Sequence, residues 1–352
     1  MLLSPTRVLS PDGCRHVTIT RSVQIGNLYS VVEVLKGRIF TNRVDNISIT
    51  SSRSLVPLVS WQYLNGRVLP DQENFFLQRR IRPIKMPRHV PGVVVSLLTG
   101  GGGNSNYGHW LLDCLPRLHL AKERISSHGS VKYLIPGDAL QFQRETLDAL
   151  GIKVEDRISS RDCQYLSPDR LIATSHPIPN HSCIPEWIVE FLRASFLSHA
   201  SDSAFGEFVY ISRSDSVNSR RLVNEDYLCS LLKSVGFNSY RLSELSVADK
   251  IALFSHAKMI VGVHGAGLTN LVFASYGTVV YELFSSVHRP VNNESISRLV
   301  GLDYRNVVCD EFDDRESPMN ADFRITDSDA MSILRHAEQV VSSLSPGGVP
   351  SS

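Results

Sequence analysis

The chain has 352 residues, which at roughly 150 residues per domain predicts two domains and excludes a single small module. Its 42% hydrophobic and 20% charged residues belong to a globular protein with sizeable cores, not to a disordered chain. With 36 Lys and Arg against 35 Asp and Glu, a formal charge of +1, there is no excess of positive charge to hold nucleic acid or an anionic membrane, so any phosphate recognition has to be local.

The first residues carry too few apolar side chains ahead of Ser4 and Pro5 for a signal peptide or a transmembrane segment. From residue 17 to about 100, VTIT, YSVVEVL, GRIFT and NISIT alternate between turn-forming residues and predict hairpin strands. Trp61 to Arg88, with Pro70, Pro83 and Pro87, is expected to be a connecting stretch with one short helix at most. VVVSLL is then a strand, GGGNSNYGH a glycine loop, and Trp110, Leu111, Leu112, Leu115 and Leu118 recur at helical spacing. VKYLIP and RLIATS are strands around a helix over Ala139 to Leu150, an alternation that indicates a mostly parallel sheet. Prolines 177, 179 and 185 place the domain boundary between about 175 and 205. Beyond it EFVYISR, NSYRLSEL, MIVGV and GTVVYELF are strands separated by helices, Ser246 and Asp249 mark a helix start, and the last helix is about Asp327 to Leu344. The boundaries adopted are a strand-rich segment 1–90 belonging to the first domain, α/β domains at 91–195 and 196–326, and a C-terminal helix and tail at 327–352.

The six cysteines, Cys14, Cys114, Cys163, Cys183, Cys229 and Cys309, contain no CxxC pair. This argues against a zinc or redox couple and for a reduced, cytoplasmic setting, with work at the inner face of a membrane left open. In the second domain, His264-Gly265-Ala266-Gly267 turns from a buried strand into a helix expected near Leu268. Such a turn presents backbone amides at the positive end of a helix dipole. The loop is neither GxGxxG nor a P-loop, and a tight packing turn explains the glycines equally well. His264 at the loop mouth is read as a donor to a phosphate oxygen. Arg213, Arg220 and Arg221 follow an earlier strand and can neutralise a diphosphate or stay solvated beside Glu225 and Asp226. Glu282 rides a strand toward the same edge and suits a ribose diol.

In the first domain, His109 and Asp113 lie one helical turn apart, so the carboxylate can orient the imidazole and raise its basicity. A structural histidine is the bland alternative. No third ligand accompanies the pair, so no metal site is expected, and Asp327-Ser328-Asp329 is read as a helix cap. Pro116 forbids an uninterrupted helix here.

NYGHWLLDCLPRL, ISRSDSVNSRRLVNED and VGVHGAGLTNLVFASYGTVVYELF, spanning about residues 104 to 284, together resemble glycosyltransferase family 61. The resemblance implies an α/β fold of GT-B type, two Rossmann-like domains facing a central cleft. It further implies an inverting, metal-independent sugar transfer from a UDP-sugar to a hydroxyl of a glycan or glycolipid acceptor, with no cofactor and, for a bacterial-type member, a role in surface polysaccharide biosynthesis. Carried onto this chain, it puts Arg213 and Arg220 or Arg221 near the diphosphate, and adds His264, Gly265, Ala266 and Gly267, with Asn270 behind them and Glu282 at the nucleoside. His109 is then the base and Asp113 its orienter, the reverse assignment staying open. A non-catalytic nucleotide- or carbohydrate-binding protein and a phosphate-handling epimerase or synthase are the rivals on the same scaffold.

Overall fold

The computed structural model describes residues 7–8, 16–24, 27–42, 46–51, 54–64, 67–69, 73–74, 86–99, 105–137, 140–178, 183–214, 220–312 and 322–344. The chain divides into two compact units, Met1–Leu192 and Arg193–Ser352. The glycines and asparagine at 100–104, the segment 215–219 and the tail 345–352 lie outside the described residues.

Unit 1 is built on one mixed sheet. The alternating N-terminal segments form β1 (Val17–Gln24), β2 (Asn27–Leu35), β3 (Arg38–Thr41) and β4 (Asn46–Ser51). Their apolar positions, Val32, Val34, Ile39, Ile47 and Ile49, enter a single core. The stretch expected to be a connection instead begins with β5 (Trp61–Leu64), which pairs with Arg67–Val68 and with β4. Trp61 and Tyr63 favour a strand, and β4 supplies the partner that local reading does not show. Four parallel strands complete the sheet: β6 (Arg88–Ser96), β7 (Val131–Ile135), β8 (Arg157–Ser159) and β9 (Tyr165–Thr174), in the spatial order β9-β6-β7-β8. On its other side β9 pairs antiparallel with β2 and β3. The N-terminal strands and the α/β part therefore share one sheet.

Proline dictates the helix after β6. Leu115 N–H donates to the Trp110 carbonyl at 3.1 Å, a five-residue step that makes Trp110–Cys114 one π-turn. Pro116, with no N–H to give, becomes the first residue of α1 (Pro116–Ser126). Two further helices follow in this unit, α2 (Gln141–Ala149) and α3 (Glu186–Phe196), the unit boundary falling within α3.

Unit 2 is an open doubly wound sheet of β10 (Phe208–Ser212), β11 (Asn238–Arg241), β12 (Met259–Val263), β13 (Val279–Ser285) and β14 (Asp303–Glu311), with β15 (Phe323–Arg324) antiparallel at one edge. The first five are parallel in the order β11-β10-β12-β13-β14. All five residues of β12 and all seven of β13 are buried, as central strands covered on both faces must be. The connecting helices are α4 (Glu225–Lys233), α5 (Val247–His256) and α6 (Asn292–Val300). Ser246 and Asp249 form the expected reciprocal cap of α5, with Asp249 N–H on Ser246 Oγ at 3.0 Å. The final helix, α7 (Asp327–Leu344), seats Ala330, Ile333 and Ala337 in the unit 2 core. Asp329 accepts from the Thr326 hydroxyl at its start, a capping role as expected.

The turn after β12 leads into the expected helix, which is a 3₁₀ helix over Ala266–Phe273. The fully buried Asn270 side chain donates to the Gly267 carbonyl at 2.8 Å and Leu268 N–H to that of Gly265. These contacts occupy acceptors that an α-helical ladder would use.

Candidate functional site

In unit 1 the candidate site forms where the carboxyl ends of the neighbouring strands β6 and β9 meet the start of the π-turn. Asn106 caps that turn, its Oδ1 accepting from His109 N–H at 3.1 Å. His109 Nδ1 donates to Asp113 Oδ2 at 2.6 Å. The imidazole is half exposed, at 50%, while the carboxylate is 9% exposed. The bond to Asp113 raises the His109 pKa above its ordinary value against the opposing effect of burial. With Nδ1 committed as donor, Nε2 is the ring atom free to take a proton.

Three residues that sequence reasoning missed support Asp113. His176, just past β9, places Nε2 4.0 Å from Asp113 Oδ1 and 3.4 Å from Thr99 Oγ1. The buried Arg117 donates from Nε to the Asp113 carbonyl at 2.9 Å and from Nη1 to the Thr174 carbonyl at 2.9 Å. Burial alone would lift the Asp113 carboxyl, but the His109 bond and the charges of His176, His109 and Arg117 hold it below its ordinary value. A DxxxR spacing at 113 and 117 was the one available sequence signal. The pairing of Thr99 with His176, 77 residues apart, exists only because β6 and β9 are neighbours.

In unit 2 the parallel strands follow the order 2-1-3-4-5, so the chain leaves β10 and β12 in opposite directions across the sheet. Open α/β sheets bind ligands in the crevice at such a switch point. A cavity of about 200 Å³ sits there, lined by Ser212, Arg213, Leu242 and Gly265 to Gly267 among others. Arg213 Nη1 donates to the His264 carbonyl. A Cβ at Gly265 would lie 2.1 Å from that Nη1, and one at Gly267 would lie 2.7 Å from Leu242 Cδ1, so a side chain at either position would displace its neighbour from the turn. Arg213, Gly265, Ala266 and Gly267 are thereby brought together as expected, and Asn270 lies behind them holding the turn.

Two expectations need correction. The His264 imidazole does not line this cavity; it turns over β13, with Nδ1 on Glu282 Oε1 at 2.6 Å and its ring stacked on Phe284 at 5.0 Å. Glu282 is fully buried and its oxygens are engaged by His264, by Asn293 Nδ2 at 2.6 Å and by the Tyr304 hydroxyl at 2.6 Å. No oxygen is presented to a ribose; the carboxylate faces inward because three donors meet it there, and it fixes His264. Arg220 and Arg221 also separate. Both backbone amides bond to Asp322 Oδ1, at 3.0 and 2.8 Å, but Arg221 is exposed while Arg220 is half-buried with a φ of 77°.

Among the described residues no three His, Cys, Asp or Glu side chains converge to hold a metal ion, and no helix is long and apolar enough to cross a membrane.

The family model for Glycosyltransferase 61 matches residues 107–281. A beta-1,2-xylosyltransferase of Arabidopsis thaliana is 35% identical over 63 residues, 18% of this chain and 12% of that protein. The EGF domain-specific O-linked N-acetylglucosamine transferase of Mus musculus is 30% identical over 94 residues, 25% of this chain and 18% of that protein. The matched stretches thus span less than a fifth of these relatives. Among solved structures, TibC, titled a bacterial iron-containing dodecameric glycosyltransferase from enterotoxigenic E. coli, shares 13% identity with a TM-score of 0.30, over 80% of this chain and 79% of that one. The segment 107–281, which holds the His109–Asp113 pair and the turn at His264, is the part of the chain that matches glycosyltransferase family 61.

Proposed function

We propose that this protein is an inverting, metal-independent glycosyltransferase of GT-B type that moves a sugar from a UDP-sugar to a hydroxyl of a glycan or glycolipid acceptor in surface polysaccharide biosynthesis, in the cytoplasm. The observation that carries the chemistry is the His109–Asp113 pair: an exposed imidazole whose Nδ1 is tied to a buried carboxylate 2.6 Å away. In this proposal His109 Nε2 takes the acceptor hydroxyl proton as that oxygen attacks the anomeric carbon. The bond from that carbon to the phosphate oxygen breaks and its electron pair leaves with UDP. Asp113, nearly sealed from solvent, suits orientation better than the role of base. Arg213 and the amides of the 265–267 turn supply charge to the diphosphate without a metal.

The test is a screen of UDP-sugars with acceptor glycans in excess EDTA, scored by released UDP, beside calorimetric UDP binding. His109→Ala should abolish transfer and leave UDP affinity within a few fold. UDP binding with no turnover on any pair would favour the non-catalytic reading. An altered donor sugar without transfer would favour an epimerase or synthase, and turnover that requires added metal would refute the metal-free part.

A further inference from the structure

His109 occupies one oxygen of Asp113, and the other faces a second histidine. His176 Nε2 stands 4.0 Å from Asp113 Oδ1, beyond hydrogen-bond length but within reach of an ion pair, so the carboxylate lies between two imidazoles. The first imidazole is half exposed at the site, whereas the second is buried. The transfer chemistry proposed above makes no use of His176.

Neighbours fix the His176 ring from several directions. Its Nδ1 lies 3.0 Å from the Ile178 carbonyl oxygen and 3.2 Å from the Ile178 amide nitrogen, and Trp61 meets the ring edge-on with centroids 5.7 Å apart. Arg117 ties the end of β9 to the Asp113 turn by donating to the carbonyls of Asp113, Thr174 and Ser175. The same guanidinium donates from Nη2 to Thr99 Oγ1 at 3.4 Å, and that hydroxyl is 3.4 Å from His176 Nε2. Two states of the ring agree with this setting: a neutral one whose Nδ1 accepts from the Ile178 amide, and an imidazolium whose Nδ1 donates to the Ile178 carbonyl. Both carry a hydrogen on Nε2. The remaining tautomer would turn a bare lone pair toward a buried carboxylate.

We propose that His176 is a positioning residue for the transfer, its Nε2–H holding Asp113 through Oδ1 in the orientation that keeps Oδ2 on His109 Nδ1. The exposed and the buried histidine then act through one carboxylate, and the buried one sets how firmly the base is held. This rests on the reading of His109 as the base.

The experiment uses side-chain amides as stand-ins, since glutamine carries its nitrogen near the place of histidine Nε2 and asparagine near that of Nδ1. The His109 pKa is followed by NMR in the full chain labelled at histidine, with His109→Gln to identify its signals and thermal melts to confirm folding. In parallel, kcat and donor KM are measured for whichever UDP-sugar and acceptor pair turns over. His176→Asn should bring the His109 pKa down toward its ordinary 6.5 and lower kcat about tenfold or more, the scale of a bond to a charged group, with donor KM within twofold. His176→Gln should recover most of both losses. Better recovery by Asn than by Gln would show that the ring matters only through Ile178, and a His109 pKa that stays or rises in the Asn variant would equally overturn the role. If the Asn variant does not fold, the wild-type nitrogen spectrum of His176 decides: a protonated Nε2 supports the proposal and a bare one overturns it. Should no UDP-sugar turn over, the donor reading fails and the NMR comparison alone decides whether His176 positions the pair.

Discussion

Substituting Gly265 by alanine isolates the contact between the turn and Arg213. The backbone there is extended, with φ 173° and ψ 172°, so alanine introduces no strain of its own. What it introduces is a methyl carbon 2.1 Å from Arg213 Nη1 and 2.9 Å from Cζ, closer than any real contact. The guanidinium must swing away, giving up its bond to the His264 carbonyl and its place on the cavity wall. A hydrogen bond to a charged group is worth about 1.5–3 kcal/mol, so UDP affinity should fall roughly 10- to 150-fold. Because the methyl acts only through Arg213, Gly265→Ala and Arg213→Ala should not add: the double variant should bind UDP about as weakly as Arg213→Ala alone. Titration calorimetry on the four proteins of that cycle measures this directly. Wild-type affinity in Gly265→Ala, or full additivity of the two losses, would refute the proposed link.

The histidine–carboxylate pair makes a pH prediction. Only unprotonated His109 can accept a proton, and Asp113 raises its pKa above the ordinary 6.5, so kcat/KM should climb with pH through a value above 6.5. Asp113→Asn should move that acid limb to lower pH while reducing the plateau about 100-fold or more; an unmoved limb would show that Asp113 does not tune the base. Arg117→Met removes a buried guanidinium from the carbonyls of Asp113 and Thr174 and should destabilise the protein by about 3 kcal/mol, read as a lower urea midpoint. An unchanged midpoint would mean that those carbonyls find other donors.

Much of the local architecture was legible in the chain. Strand alternation in VTIT and NISIT, the apolar runs before both glycine loops and the Ser246 cap are short-range signals, and the structure bears them out. The pairing of His109 with Asp113 also followed from spacing alone, because residues four apart share a helical face, and the π-turn forced by Pro116 keeps them in contact. The segment Trp61 to Leu64 was misread because its strand partners lie elsewhere in the sheet.

Sequence by itself determined most of the elements, the glycine turn after β12 and the residue types on offer there. Tertiary structure alone decided which way the side chains face. It buried Glu282 beneath His264, turned that imidazole away from the cavity, and separated an inward Arg220 from an exposed Arg221. It also brought Thr99 and His176 together across two strands. The physical reason is common to all of these. A strand's neighbours, and the donors that meet a buried carboxylate, come from residues far along the chain, and no local pattern encodes them.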